Sequence, residues 1–110
     1  MKINHKLLYD SNNSYIKYSD GTMIQFKTIN FTPSMQQWSQ LYFADIDLGN
    51  FDKEFISVPI VTATLQSSQY WIGGIFNTTN TSIGKVRILR QINASSQSTD
   101  ICIIAIGRWK

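Results

Sequence analysis

Residues 15–26 read Tyr15-Ile-Lys-Tyr-Ser-Asp-Gly-Thr-Met-Ile-Gln-Phe26, and their reading decides the fold. Two short runs rich in aromatic and β-branched residues flank Ser19-Asp20-Gly21. Glycine accepts positive φ without a Cβ clash, so Asp20-Gly21 supplies the left-handed backbone that a tight hairpin needs. The stretch therefore predicts two antiparallel strands joined by a turn.

The same chemistry continues downstream. Over residues 38–48, Trp38, Gln40, Tyr42, Ala44, Ile46 and Leu48 fall on one face of a period-two pattern, and Ser39, Leu41, Phe43, Asp45 and Asp47 on the other, as in a strand. Residues 58–66 repeat the pattern, with Val61, Ala63 and Leu65 inward; Pro59 fits only near the start of such a strand or on an edge. Residues 70–77 form another strand, whose Gly73-Gly74 pair predicts a bulge or a close backbone approach. Residues 77–82 read as a turn. Residues 85–92 place Val86, Ile88 and Ile92 on one face, 93–100 form a polar exposed loop, and 101–109 close the chain. Short strands at this spacing, separated by turn chemistry, predict an all-β, antiparallel β-sandwich. Little helix is expected, at most a turn or two between Ser34 and Gln40. Residues 1–13 read as a polar lead-in segment, with one apolar knot at Leu7-Leu8-Tyr9, and 14–110 as a single domain.

Composition agrees. Asn, Ser, Thr and Gln together supply 37 of the 110 residues, charged residues only 15%, and Glu54 is the sole glutamate. Helical surfaces are rich in Glu and Lys, so this surface belongs to strands and Ser/Thr/Asn turns. The net charge of +3 is spread over scattered Lys and Arg, with no basic run interleaved with aromatics, so nucleic acid is not an expected partner. No apolar run reaches membrane-span length, and the first ten residues lack the apolar core of a signal peptide. Cys102 is the only cysteine, which excludes an intrachain disulfide and a cysteine-based metal site.

Catalytic chemistry is sparse. His5 is the sole histidine and lies in the polar lead-in, which argues against a histidine triad or a zinc site. Asp45 and Asp47 share a strand face about 7 Å apart, a spacing that overlaps that of an inverting glycosidase. The simpler reading is two solvent-facing carboxylates beside a turn. No catalytic residue, metal or cofactor is expected. What stands out is aromatic rings next to small polar groups. Tyr70-Trp71 follows Gln66-Ser-Ser-Gln69 and precedes Asn77. A ring face that meets sugar C–H groups, with amides around it for the hydroxyls, is how a protein grips a saccharide. Tyr70, Trp71, Gln66, Gln69 and Asn77 are the candidate carbohydrate-binding residues.

Several stretches, in order, resemble the C-terminal domains of bacteriophage tail fibres. Tyr15-Ile-Lys-Tyr-Ser-Asp-Gly-Thr-Met-Ile-Gln resembles their opening "y-x-k-x-x-D-G-t-x-i-q-w-G". Phe55 with Val58-Pro-Ile-Val-Thr-Ala-Thr64 resembles their "F-x-x-x-P-x-V-x-a-t" strand. Asn77-Thr-Thr79 and Ile104-Ala-Ile-Gly-Arg-Trp109 resemble their "t-T-t" turn and "w-i-A-i-G" end. Phe26 stands where that pattern has Trp, Lys27 where it has Gly, and Ile104 where it has Trp. The features are also similar to those of H-type lectins, six-stranded sandwiches that trimerise and bind sugars. The resemblance implies a tail-tip receptor-binding module on a virion, attached to the rest of a tail fibre or baseplate, that recognises a host cell-surface glycan. It carries over no sugar-ligating residue. The alternatives are a structural, trimerising cap without a ligand, or a small glycan depolymerase using Asp45 and Asp47.

The closing strand bears on assembly. Ile101, Ile103 and Ala105 fall on one face and Cys102, Ile104 and Ile106 on the other. Both faces are apolar, whereas an outer strand face is ordinarily polar, so both need cover. The resemblance implies that a homotrimer covers the second one, with Ile104, Ile106 and Trp109 at the interface. The rival is cover from residues 1–10 or from the 30–40 loop of the same chain.

Overall fold

Gly21 adopts φ 99° and its N–H donates to the Tyr18 carbonyl at 3.0 Å, closing the turn between β2 (Tyr15–Tyr18) and β3 (Thr22–Phe31). Asp20 caps the turn by accepting from the Thr22 N–H at 2.9 Å. The computed structural model describes residues 8–67, 70–91 and 98–110. Its other strands are β1 (Leu8–Ser11), β4 (Gln36–Trp38), β5 (Leu41–Asp47), β6 (Ile60–Gln66), β7 (Trp71–Phe76), β8 (Lys85–Arg90) and β9 (Thr99–Arg108). They form two antiparallel sheets, ordered β1-β2-β3-β9-β6 and β4-β5-β8-β7. There is no helix among the described residues. The fold is an all-β sandwich, as the hairpin chemistry implies.

The spine of the larger sheet is the ten-residue pairing of β3 with β9, from Thr22 opposite Arg108 to Phe31 opposite Thr99. On the inner face, Ile101 and Ile103 of β9, with Ile29 of β3 and Ala63 and Leu65 of β6, pack against Val86, Ile88, Ile46 and Ile72 of the smaller sheet. Burial alternates strictly along β6 and through residues 101–106 of β9, as period two requires. Beyond the smaller sheet, the segment 51–59 covers the inner face in its place. There Phe55 is fully buried among Tyr15, Met23 and Ala105, with its ring edge-on to Phe51 at 5.0 Å.

Gln25 ties that segment down. It is a buried polar residue on the inner face of β3. Its Nε2 donates to the Lys53 carbonyl at 2.5 Å, and its Oε1 accepts from the N–H of Asp52 at 3.1 Å. A side-chain amide thus stands in for a strand partner on a stretch that has no ladder. Gln25→Ala would leave these backbone groups without that partner, and we expect a loss of about 1–3 kcal/mol. A urea unfolding midpoint unchanged from the parent would show that the segment holds without it.

Residues 34–40, where at most a turn or two of helix was expected, contain none, and the expectation of one strand over residues 38–48 is corrected: Gln36–Trp38 is β4, paired with β5 through Trp38 opposite Leu41. The two-residue turn is made by Ser39 and Gln40, with Ser39 at φ 55°. That reversal ends the run of residues 38–48 as one strand. Trp38 therefore does not share the inner face of Ala44 and Ile46 but lies against Phe43 on the outer one. Of the polar loop expected at 93–100, residues 93–97 lie outside the described residues, as do Ile92 and Gln69.

Candidate functional site

The outer face of the smaller sheet gathers three exposed aromatics, Trp38, Trp71 and Phe76. Strand parity sends Leu41, Phe43, Asp45 and Asp47 of β5 outward, with Lys85, Arg87 and Leu89 of β8 beside them. Trp71 and Phe76 of β7 face the same way, opposite Leu89 and Lys85. Trp38 and Trp71 are each 52% exposed. Between Ile72 and Gly74 the register slips, so β7 carries a bulge where the sequence has Gly73-Gly74.

Arg87 organises this face. Its Nε and Nη2 donate to the two carboxylate oxygens of Asp45 at 2.8 and 2.9 Å, a bidentate pair set by cross-strand register. The guanidinium carbon lies 4.6 Å from the Phe43 ring centre, 5.5 Å from that of Trp38 and 5.9 Å from that of Phe76. Trp38 meets Phe43 edge-on at 5.8 Å. Asp47 stands opposite Lys85 one step along. The face is therefore aromatic and close to charge-balanced.

The hydrogen bonds from Arg87 hold the Asp45 carboxyl below its ordinary value of 3.8. A depressed carboxyl favours the folded state at pH above its ordinary value and loses that contribution as pH falls through the depressed one. The pair is open to solvent, so its contribution to stability is small and screened by salt. Followed by NMR, the Asp45 carboxyl should titrate below 3.8. Arg87→Ala should bring it back up, and an unchanged midpoint would mean that the pair does not form in solution.

The candidate saccharide residues Tyr70, Trp71, Gln66 and Asn77 do not come together. Tyr70 is 4% exposed and belongs to the inner core, where its hydroxyl accepts from Arg90 Nη1 at 3.5 Å. Adjacent residues of an extended chain point to opposite sides, so Tyr70 turns in where Trp71 turns out. Gln66 ends β6 in the other sheet, and its carbonyl accepts from Thr99 Oγ1 at 3.1 Å. Asn77 is exposed at the far end of β7 from Trp71, at φ 62°. Among these four, Trp71 is thus the member that reaches the aromatic face. The sequence reading missed Phe76, Arg87 and Phe43. For Phe43 and Arg87, parity along β5 and β8 was the available signal, since Ala44, Ile46, Val86 and Ile88 alternate with them; Phe76 lies past the bulge in β7.

The candidate interface residues also divide. Ile104 and Ile106 are 48% and 47% exposed on the outer face of the larger sheet. Register continues this apolar surface: Ile16, Ile24, Ile106 and Ile60 form one row across β2, β3, β9 and β6, and Phe26 flanks Ile104. Trp109 faces the other way. It packs on the inner cluster, and its Nε1 donates to the Tyr18 carbonyl at 2.8 Å. Among the described residues no group of three or more His, Cys, Asp or Glu is placed to hold a metal ion.

Neither a protein-family model nor a curated protein matches the chain. Solved structures do. An N-truncated R1-type pyocin tail fibre superimposes with a TM-score of 0.66 at 20% identity, over 94% of this chain and 86% of that one. A P. aeruginosa R1 pyocin fibre comprising C-terminal residues 323–701 gives 0.67 at 20% identity, again over 94% of this chain but only 28% of the fibre. At this identity the likeness speaks for architecture, and the chain shares its fold with the R1 pyocin tail fibre.

Proposed function

We propose that the chain is a receptor-binding module at the tip of a phage tail fibre or baseplate, where it recognises a host cell-surface saccharide as a homotrimer. The observation that carries this reading is the fold, which follows a tail fibre over 94% of the chain. Its place is the virion tail, with the rest of the fibre as its covalent or assembled partner. The apolar row through Ile104 and Ile106 supports self-association, because a solvated outer sheet face has no need of it. A single short-saccharide site is weak, near millimolar or about −4 kcal/mol. Three copies raise effective avidity by roughly 10²–10⁴ without new contacts.

The module is not an enzyme in this reading. Asp45 is engaged by Arg87 and held ionised, which is not the state of a general acid. Asp47 accepts from the Gly49 N–H at 2.9 Å and serves the turn after β5. The test is a glycan screen of the intact protein together with a depolymerisation assay. Binding without cleavage supports the module. Cleavage that stops with Asp47→Asn would make it a hydrolase, and assembly without any binding would make it a structural cap.

A further inference from the structure

We propose that the hollow over Gly73 and Gly74 is a subsite for one uncharged pyranose ring, bordered by Phe76, with Trp71 further along the same strand face and hydroxyl partners supplied by the Asp45–Arg87 pair. The inference rests on the saccharide reading above and adds to it the place and the ligand class.

The space comes from the bulge. Opposite Arg87, β7 presents two consecutive residues without side chains, and a hollow of about 370 Å³ opens there, lined by Gly73, Gly74, Ile75, Phe76 and Arg87. Gly73 sits close to its neighbours: a Cβ at that position would stand 3.2 Å from Leu89 Cδ1 and 3.4 Å from the Arg87 carbonyl oxygen, a tight fit that Leu89 would have to relieve. Trp71 shares the outer face of β7 with Gly73, two residues before it, and is 52% exposed. A glycine floor with the Phe76 ring beside it, and Trp71 on the same strand face before the bulge, suits a flat ring with C–H groups on its faces.

The polar complement suits vicinal hydroxyls. Arg87 uses Nε and Nη2 on Asp45, and its Nη1 carries no hydrogen bond among the described residues. Each Asp45 oxygen accepts one of these bonds and keeps capacity for another. One edge of the pair therefore donates and the other accepts, which is what neighbouring hydroxyls offer in return. Charge sets the class. Asp45 is paired with Arg87 and Asp47 stands opposite Lys85 in the same register, so the described residues of these two strands carry no net positive charge on this face for a carboxylate or phosphate. An acidic sugar would find no net charge to attract it here.

The test uses the intact protein against two immobilised panels. One holds neutral oligosaccharides of glucose, galactose, mannose, rhamnose and N-acetylglucosamine; the other holds uronic-acid and phosphate-bearing oligosaccharides. We expect binding to members of the neutral panel, weakened roughly tenfold or more by Trp71→Ala and by Phe76→Leu, which keeps apolar volume but loses the ring. Asp45→Asn should weaken it as well, with the melting temperature and oligomeric mass of all three variants unchanged. Neutral-sugar binding that survives both aromatic substitutions, or binding confined to the acidic panel, would overturn the subsite and leave saccharide recognition standing. Loss of oligomeric mass in Phe76→Leu would reassign the hollow to a contact between copies. No binding to either panel by the unmodified protein would overturn the saccharide reading and the subsite together.

Discussion

Ile104→Asp and Ile106→Asp are each expected to give a folded chain that no longer associates. Within one chain both positions are about half exposed, so a carboxylate there stays hydrated and the sandwich folds around its inner core of Ile101, Ile103 and Ala105. In the proposed trimer the same position is buried among Ile24, Phe26 and Ile60, the last 74% exposed in the single chain. An unpaired carboxylate in such a place costs several kcal/mol, roughly 2–7 even for a neutral polar group. Each isoleucine that is lost also removes about 1.5–3 kcal/mol of burial per copy. Light scattering should move from three chain masses to one while circular dichroism keeps its β-sheet form. A variant that stays trimeric would place the interface elsewhere.

The second large effect is expected from Phe55→Ala, at about 3–5 kcal/mol. Phe55 covers the part of the larger sheet that the smaller one does not reach. Its ring lies so close to Gly107 that a Cβ there would stand 2.7 Å from Phe55 Cδ1. Its backbone is held on both sides, the N–H by the Asn80 carbonyl at 3.0 Å and the carbonyl by Asn80 Nδ2 at 3.2 Å. A fixed backbone cannot collapse into the space that the ring leaves, so the cavity persists. A domain of this size has about 5–15 kcal/mol in all, and the loss should appear as a large drop in the urea midpoint. A change below about 1 kcal/mol would mean that the segment 51–59 repacks freely.

The sequence made local structure legible and long-range structure only in part. Asp20-Gly21 announced its turn because glycine chemistry is local, and Gly73-Gly74 announced its bulge for the same reason. The two-faced apolar pattern of residues 101–106 was visible because one buried face needs only alternate positions. The turn at Ser39 was hidden, since a serine at φ 55° carries none of the signal that glycine gives. Without that turn, the parity of Trp38 came out inverted. Gln25 was hidden too, because its partners lie 27 and 28 residues away and an isolated Gln in a strand reads as solvated. Tyr70 and Trp71 were grouped by adjacency, although a strand separates neighbours to opposite faces. The pairs that build the candidate site, Asp45 with Arg87 and Phe43 with Leu89, are cross-strand neighbours far apart in sequence, and no local pattern names them.

The central claim is that this fold serves to recognise a saccharide. The most direct measurement is binding of the intact, folded protein to an array of purified bacterial lipopolysaccharides and capsular polysaccharides. We predict saturable binding to at least one of them, competed by the same saccharide in solution and lost with Trp71→Ala. A protein that assembles and keeps its fold yet binds none of them would contradict the account.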